Sequence, residues 1–375
     1  MKNAFDEKQL IKLRHNLHRE PELSGREENT AKTLIAFLQN QRPDLLVTSI
    51  GGHGILAVYK GEVSGRTVLL RCDMDALPIN EDEKLEYRSM ISGVSHKCGH
   101  DGHMAIMCGV AKELAVSRPM QGTVILLFQP AEETGQGAVR ILKQLKYLPD
   151  QCFALHNLPG FQLGSVITKV GPFAGASRGM IVKLTGKSSH AAEPQCGNSP
   201  AAAVASIIFY LERICDNSTG TIGTVVHVRI GEVAFGTSPE DATVMITLRA
   251  PDAKEMDFFS NRVSEQVIKT AEEEHLMCNI HWTEEFPATS NSEFSTSIIN
   301  ASADHLGYKV TALTRPFLWS EDFGHFTDKF SGAMFALGAG LNTPALHSSD
   351  YDFPDNLIPV GVAMFMEILE RSLKL

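Results

Sequence analysis

Cys98-Gly99-His100-Asp101-Gly102-His103 places a thiol and two imidazoles within six residues, and the glycines between them let the backbone turn tightly. A Cys and a His two apart reach one ion only where the chain is extended or turning, because side chains i and i+2 share a face there. Metal ligation is one reading of the hexapeptide. The other is a buried free cysteine beside two ordinary histidines, since free Cys often serves as a small core hydrophobe.

Working outward, residues 101–116 suit a helix opening directly after the cluster. Strands are expected at 55–60, 67–71, 123–128 and 152–155, each a short apolar run between breakers. Helices are expected at 7–18, where Leu10, Ile11, Leu13 and Leu17 form one stripe, and at 27–40. Strands alternating with helices argue an α/β sheet, in which ligands collect outside the carboxyl ends of the strands. Three polar groups fall at such ends: Cys72-Asp73-Met74-Asp75, Gln129-Pro130-Ala131-Glu132-Glu133 and His156.

The rhythm changes near Gly171. Strand 179–185, a helix from Ser199-Pro200 (read as N-cap and N1) to Ile214, strands 223–230 and 243–249, helix 254–275 and strand 279–286 follow in order. That β-α-β-β-α-β succession is the ferredoxin-like split unit. The α/β pattern then resumes with helix 293–306, strand 332–337 and helix 357–373. At 375 residues the chain exceeds the ~250–300 at which one core stops growing. The expectation is therefore two domains: a discontinuous catalytic domain, 1–173 plus 287–375, interrupted by a lid at 174–286.

A formal net charge of -10 and the lack of a basic run argue against nucleic acid or an anionic membrane as partner. The first residues carry no signal-like apolar region, and no run is long enough to span a bilayer. Seven scattered cysteines do not resemble a disulfide framework, so a reducing cytoplasmic location is expected. Cys72, Cys108, Cys152, Cys196, Cys215 and Cys278 are read as packing residues.

Each remaining candidate has a plain rival. Glu132-Glu133 can supply one carboxylate to a cation and the other, turned elsewhere, as a general base, or can be a solvated pair at a helix start. Asp73 and Asp75 can orient a ligating imidazole or form a turn and cap. His156 and His347 are single histidines, which can be purely structural; so can His103, in a first helical turn. His190, in a small-residue loop, can donate to a developing oxyanion or simply lie on a surface turn. Arg249, ending a strand, can receive a carboxylate or be an exposed charge. Taken together, Cys98, His100, Glu133, His156 and His347 offer five thiolate, imidazole and carboxylate ligands, enough for two divalent ions. Thiolate and imidazole tilt the choice to zinc and carboxylate leaves manganese open.

The chain resembles peptidase family M20, subfamily D, the aminoacylases and N-acyl-amino acid amidohydrolases. The matching motifs are Arg14, Leu17-His18 and Pro21-Glu22-Leu23; Arg71-Cys72-Asp73-Met74-Asp75-Ala76-Leu77-Pro78; the hexapeptide at 98–103; Gln129 to Glu133; Leu155-His156; His190-Ala191-Ala192; Ser320-Glu321-Asp322-Phe323; and Leu346-His347. The resemblance implies a metallo-aminopeptidase-like catalytic domain with an inserted lid/dimerisation domain, and hydrolysis of N-acyl amino acids as small-molecule substrates. It implies that Cys98, His100, Glu133, His156 and His347 hold one or two divalent ions (Zn or Mn). Glu132 is implied as the base that activates water, Asp73 or Asp75 as the supporting acid, and His190 as a group reaching the substrate, with a homodimer or higher homo-oligomer as the assembly. A dipeptidase, a non-catalytic homologue that keeps its metal, and a purely structural zinc site are the competing readings. The chain departs from the family pattern at Cys72 and Lys97, where Ala is usual. It departs also at Ser188-Ser189, at Gly236 to Glu240, and at Asp355, where Glu is common.

Overall fold

The computed structural model describes residues 7–81, 85–215 and 220–374. The chain divides into two compact units, one of residues 1–173, 289–315 and 322–375, the other of 174–288 and 316–321.

The first unit begins with α1 (Glu7–Arg19), α2 (Glu28–Gln39), β1 (Leu45–Ile50), β2 (Gly54–Lys60), β3 (Val63–Asp73), α3 (His100–Val116), β4 (Gln121–Gln129), α4 (Gly137–Leu142), β5 (Gln151–Leu158) and β6 (Val166–Thr168). The intervening unit contributes β7 (Ala176–Thr185), α5 (Ala201–Ile214), β8 (Ile222–Ile230), β9 (Asp241–Ala250), α6 (Ala253–Glu273) and β10 (Met277–Phe286). The first unit then resumes with α7 (Glu293–Leu306), β11 (Val310–Ala312), β12 (Ser331–Gly338) and α8 (Leu357–Leu373).

The large sheet runs β1-β2-β4-β3-β5-β12-β6-β11. Its middle is built from near-continuous apolar runs, Val124 to Phe128 in β4 and Val68 to Leu70 in β3 being fully buried, as strands covered on both faces require. Parallel pairing of β3 with β4 and β5 aligns their carboxyl ends. Asp73 lies opposite Gln129, and Arg71 opposite both Leu127 and Ala154. Asp73, Gln129 and His156 therefore stand at one level of the sheet edge. Helix α3 is buried from His100 to Ala111 and packs against α8, where a Cβ on Gly361 would come within 2.6 Å of Ile106. Glycine is what permits that approach.

The second unit carries an antiparallel sheet ordered β8-β9-β7-β10, the arrangement a ferredoxin-like β-α-β-β-α-β chain adopts. Strand β9 alternates: Ala242, Val244, Ile246, Leu248 and Ala250 are buried and share a core with Met256, Phe259, Val263 and Val267 of α6. Asp252 caps α6 by accepting from the Glu255 N–H at 2.9 Å.

The strands are longer than their apolar runs. β3 opens at Val63 because its exposed first residues pair through the backbone alone, and β5 continues past His156 to Leu158. Helix α5 opens at Ala201 with Pro200, not Ser199, in the cap position; Ser199 Oγ still accepts from the Ala201 N–H at 3.3 Å. Cys196 is exposed, so it is not the packing residue expected. Among the described residues no helix is long and apolar enough to cross a membrane.

Candidate metal centre

The sheet edge and the start of α3 bring the chemistry together. Gly99 takes a left-handed φ of +91° and a Cβ there would sit 2.5 Å from Asn157 Oδ1. This glycine turn gives α3 its first residue, His100, directly beside Cys98. Cys98 Sγ lies 3.5 Å from His156 Nε2. His100 Nδ1 meets the Asp75 carbonyl at 2.9 Å and His156 Nδ1 meets the Asn157 carbonyl at 2.8 Å. A carbonyl only accepts, so each ring carries its proton on Nδ1 and offers Nε2 inward. The His347 N–H donates to the Lys97 carbonyl at 2.8 Å, and its Nε2 lies 3.7 Å from Glu133 Oε1.

Among the described residues five overlapping groups result, three of them built from the expected ligands and Glu132: Cys98, His100 and His156; Cys98, Glu133 and His347; His100, Glu132 and Glu133. Within each group the ligand-type atoms all lie within 4.8 Å of one another. All five residues singled out as ligands from the sequence thus stand in one place, with Glu132 among them.

The carboxylates sit on a strained turn. Ala131 has a positive φ of 54°, and its N–H is held by Glu27 Oε1 at 2.8 Å. The Glu133 N–H donates to Asp75 Oδ2 at 3.0 Å. Glu132 and Glu133 each bring a carboxylate oxygen within 4.8 Å of a His100 ring nitrogen, and Glu132 also groups with Glu321 and Asp322. Asp73 receives His103 Nδ1 at 2.6 Å on one oxygen and Arg71 at 2.8 Å on the other. Arg71 also donates to Asp322 at 2.8 Å, and Asp322 accepts from Gln129 and from the Ala138 N–H. Asp75 is bound by Ser24 at 2.6 Å.

His103, one of the histidines left open to a structural reading, bridges Asp73 and Asn157, the latter at 2.5 Å. Arg71, Asn157, Asp322 and Glu27 have no role in the sequence reading. A charged residue closing the apolar run of β3 is the one signal that points to Arg71.

Electrostatics load the cluster with protons. Burial disfavours the His100 cation, but Asp73, Asp75 and Glu133 outweigh it and push His100 up to about 10. Burial, aided by Asp75 and Asp73 against the pull of His100, raises Glu133 to about 7. Burial and the nearby carboxylates of Glu133 and Glu132 hold the Cys98 thiol well above its ordinary value. Burial and the neighbouring His103 keep His156 neutral.

Within this cluster, His100 Nε2, Glu133 Oε1 and Asp75 Oδ1 are buried without a hydrogen-bond partner among the described residues. His100 Nε2 and Glu133 Oε1 face each other at 3.8 Å. Orphaned acceptors beside a thiol and two inward nitrogens fit a divalent cation, whose charge would satisfy them and displace the protons.

Comparison with known proteins bears on this geometry. Residues 69–371 match the model of Peptidase family M20/M25/M40. The chain belongs to that family, whose members are metal-dependent hydrolases. An IAA-amino acid hydrolase of Arabidopsis thaliana is 31% identical over 97% of this chain and 85% of its own length. An N-acetyldiaminopimelate deacetylase of Pediococcus pentosaceus is 28% identical over 97% of both. A dinuclear metal-binding M20 peptidase from Bacillus subtilis superposes with a TM-score of 0.85 at 25% identity, covering 98% of each chain.

Two further residues of this M20 chain lie in the second unit. His190, in a short strand paired with Thr237–Ser238, is exposed. Its Nδ1 accepts the Ala192 N–H at 3.1 Å, which leaves the ring proton on Nε2. Arg249, at the end of β9, donates to the Leu318 carbonyl and Ser320 Oγ, both at 3.1 Å. Its guanidinium is partly desolvated, and no carboxylate stands within ion-pair distance of it among the described residues.

Proposed function

We propose that this M20 protein hydrolyses the amide bond of N-acyl amino acids, N-acetyl or aromatic acyl, to a carboxylate and the free amino acid. The observation that carries the reading is the convergence of Glu132 on the five-residue cluster. A structural zinc site needs four closed ligands and no further carboxylate, and a binding module has no use for a base.

Cys98, His100, Glu133, His156 and His347 would hold the divalent ions, one or two, of zinc or manganese. A bound ion supplies Lewis-acid polarisation of the scissile carbonyl and acidifies water. Glu132, 5% exposed, takes the proton of the attacking water and returns it to the departing amine nitrogen. Asp73, locked between Arg71 and His103, fixes the charge behind the cluster, while Asp75 aims His100 through its carbonyl. His190, with its ring proton on Nε2, would be the donor to the developing oxyanion. Arg249, a half-buried cation with no carboxylate within ion-pair distance among the described residues, would suit the substrate carboxylate.

On the same reading, residues 1–173 plus 287–375 form the catalytic domain and 174–286 a lid/dimerisation domain. The edge strand β8 supports pairing of two copies: Val226, Val228 and Ile230 are exposed along it, and Phe235 beyond it is wholly so. Seven free cysteines support a reducing, cytoplasmic setting.

The test is a panel of N-acyl amino acids and dipeptides assayed with zinc, manganese and chelator, on wild type and Glu132→Ala. Turnover that collapses in the variant while bound metal persists supports the reading; unchanged turnover removes Glu132 as the base. Preference for dipeptides would favour the dipeptidase alternative. Absence of turnover in a metal-loaded wild type would favour a binding protein.

A further inference from the structure

Lys97 immediately precedes Cys98 and is fully buried. Its Nζ donates to the Tyr351 carbonyl at 2.7 Å and to Glu81 Oε1 at 2.6 Å. Its own carbonyl accepts the His347 N–H at 2.8 Å. One residue thus grips the 347–351 segment at both ends. Within the segment, turn bonds run from the Ser348 N–H to Ala345 O and from the Tyr351 N–H to Ser348 O.

His347 needs such a grip. Its φ of +66° is left-handed, a conformation that a residue with a β-carbon keeps only where the surroundings impose it. Its side chain is half exposed, so burial of the ring does not impose it. The far side of the grip is rigid as well. Glu81 also meets His18 Nε2 at 2.9 Å and the Ser89 N–H at 2.6 Å, and His18 meets Asp101 at 2.8 Å. A buried ammonium joined to that ionic chain has one low-energy position.

We infer that Lys97 is a positioning residue: it fixes the arm that carries His347 toward Cys98 and Glu133, and so sets how tightly that side of the centre holds its divalent ion. The inference rests on the ligand reading above and adds a residue that reading does not include.

The test uses the double variant Lys97→Met/Glu81→Gln, which removes both charges and strands neither, beside wild type and His347→Ala. Zinc affinity is read by competition with a chromophoric chelator, coordination by the visible spectrum of the cobalt-loaded protein, and folding by the thermal midpoint of the metal-free form. The double variant is expected to fold, to bind zinc about 10–100-fold more weakly and to show an altered cobalt spectrum. Wild-type affinity and spectrum in a folded double variant, with His347→Ala weakened, overturns the role of Lys97 alone. Undiminished affinity in His347→Ala overturns the ligand reading and this inference with it. Amide exchange gives a check that needs no variant: the His347 N–H of metal-free wild type is expected to be protected, and exchange at the unprotected rate overturns the grip.

Discussion

Filling the centre with metal at pH 7 is expected to expel between two and three protons from the protein. The magnitude follows from the cluster. Cys98 holds its thiol proton well above pH 7 and gives up one. His100, at about 10, gives up another from Nε2. Glu133, raised to about 7 by burial, gives up part of a further proton. His156 is already neutral and contributes none. Protons leave on binding, so affinity rises with pH, by roughly two to three decades per unit near pH 7. Above pH 8 Glu133 is ionised beforehand, and the release falls toward two. Titration calorimetry of zinc into metal-free protein, repeated in buffers of different ionisation enthalpy, reads the proton count as a slope. A release of less than about one proton would refute the reasoning, because the thiol and the His100 cation could not both be ligands.

Further outcomes follow from single residues. His190→Ala is expected to lower kcat by about 10²–10³, the loss typical of one oxyanion donor, with metal content unchanged; steady-state kinetics beside elemental analysis checks both. Asp101 accepts from Arg14 at 2.7 Å and His18 at 2.8 Å, and although burial opposes its charge these partners hold it far below the usual carboxylate range. Asp101→Asn should therefore lose about 3–5 kcal/mol of stability near neutrality. A depressed carboxyl contributes fully above its unfolded pKa of ~3.9 and less as pH falls below it. The deficit seen in urea unfolding should accordingly shrink in acid. Gly102→Ala would place a Cβ 2.5 Å from the Phe353 ring, and a loss of about 1–3 kcal/mol by overpacking is expected in the same assay.

Helices with strong apolar periods were legible almost to the residue: 293–306 and 357–373 coincide with α7 and α8. Strand ends were not, because Val63 and its neighbours in β3 are exposed and paired by backbone alone, leaving no apolar signal. β1 went unread for a related reason: it is an edge strand of half-buried residues without clean alternation. At the centre, residue type raised Cys98, His100, Glu133, His156 and His347 as a possible set, each with a structural rival, and the family resemblance implied the same five as ligands. Their supports carried no assigned role, for a physical reason. Arg71 and Asp322 lie inside matching motifs, and Asn157 and Glu27 beside other polar residues, but only the tertiary fold brings each to a partner far along the chain. Lys97 was visible as a departure, but its bond to the Tyr351 carbonyl, 254 positions away, has no local trace.

The strand order has a consequence for how the protein is made. β12 lies between β5 and β6 in the sheet, yet it is synthesised after both and after the whole intervening unit. A nascent chain therefore carries Cys98, His100, Glu133 and His156 for a long interval with a gap in its sheet and no His347. Under the proposed ligand set, the complete centre can form only after the segment carrying His347 has followed β12 out of the ribosome, so it is assembled within a sheet most of whose strands are already made.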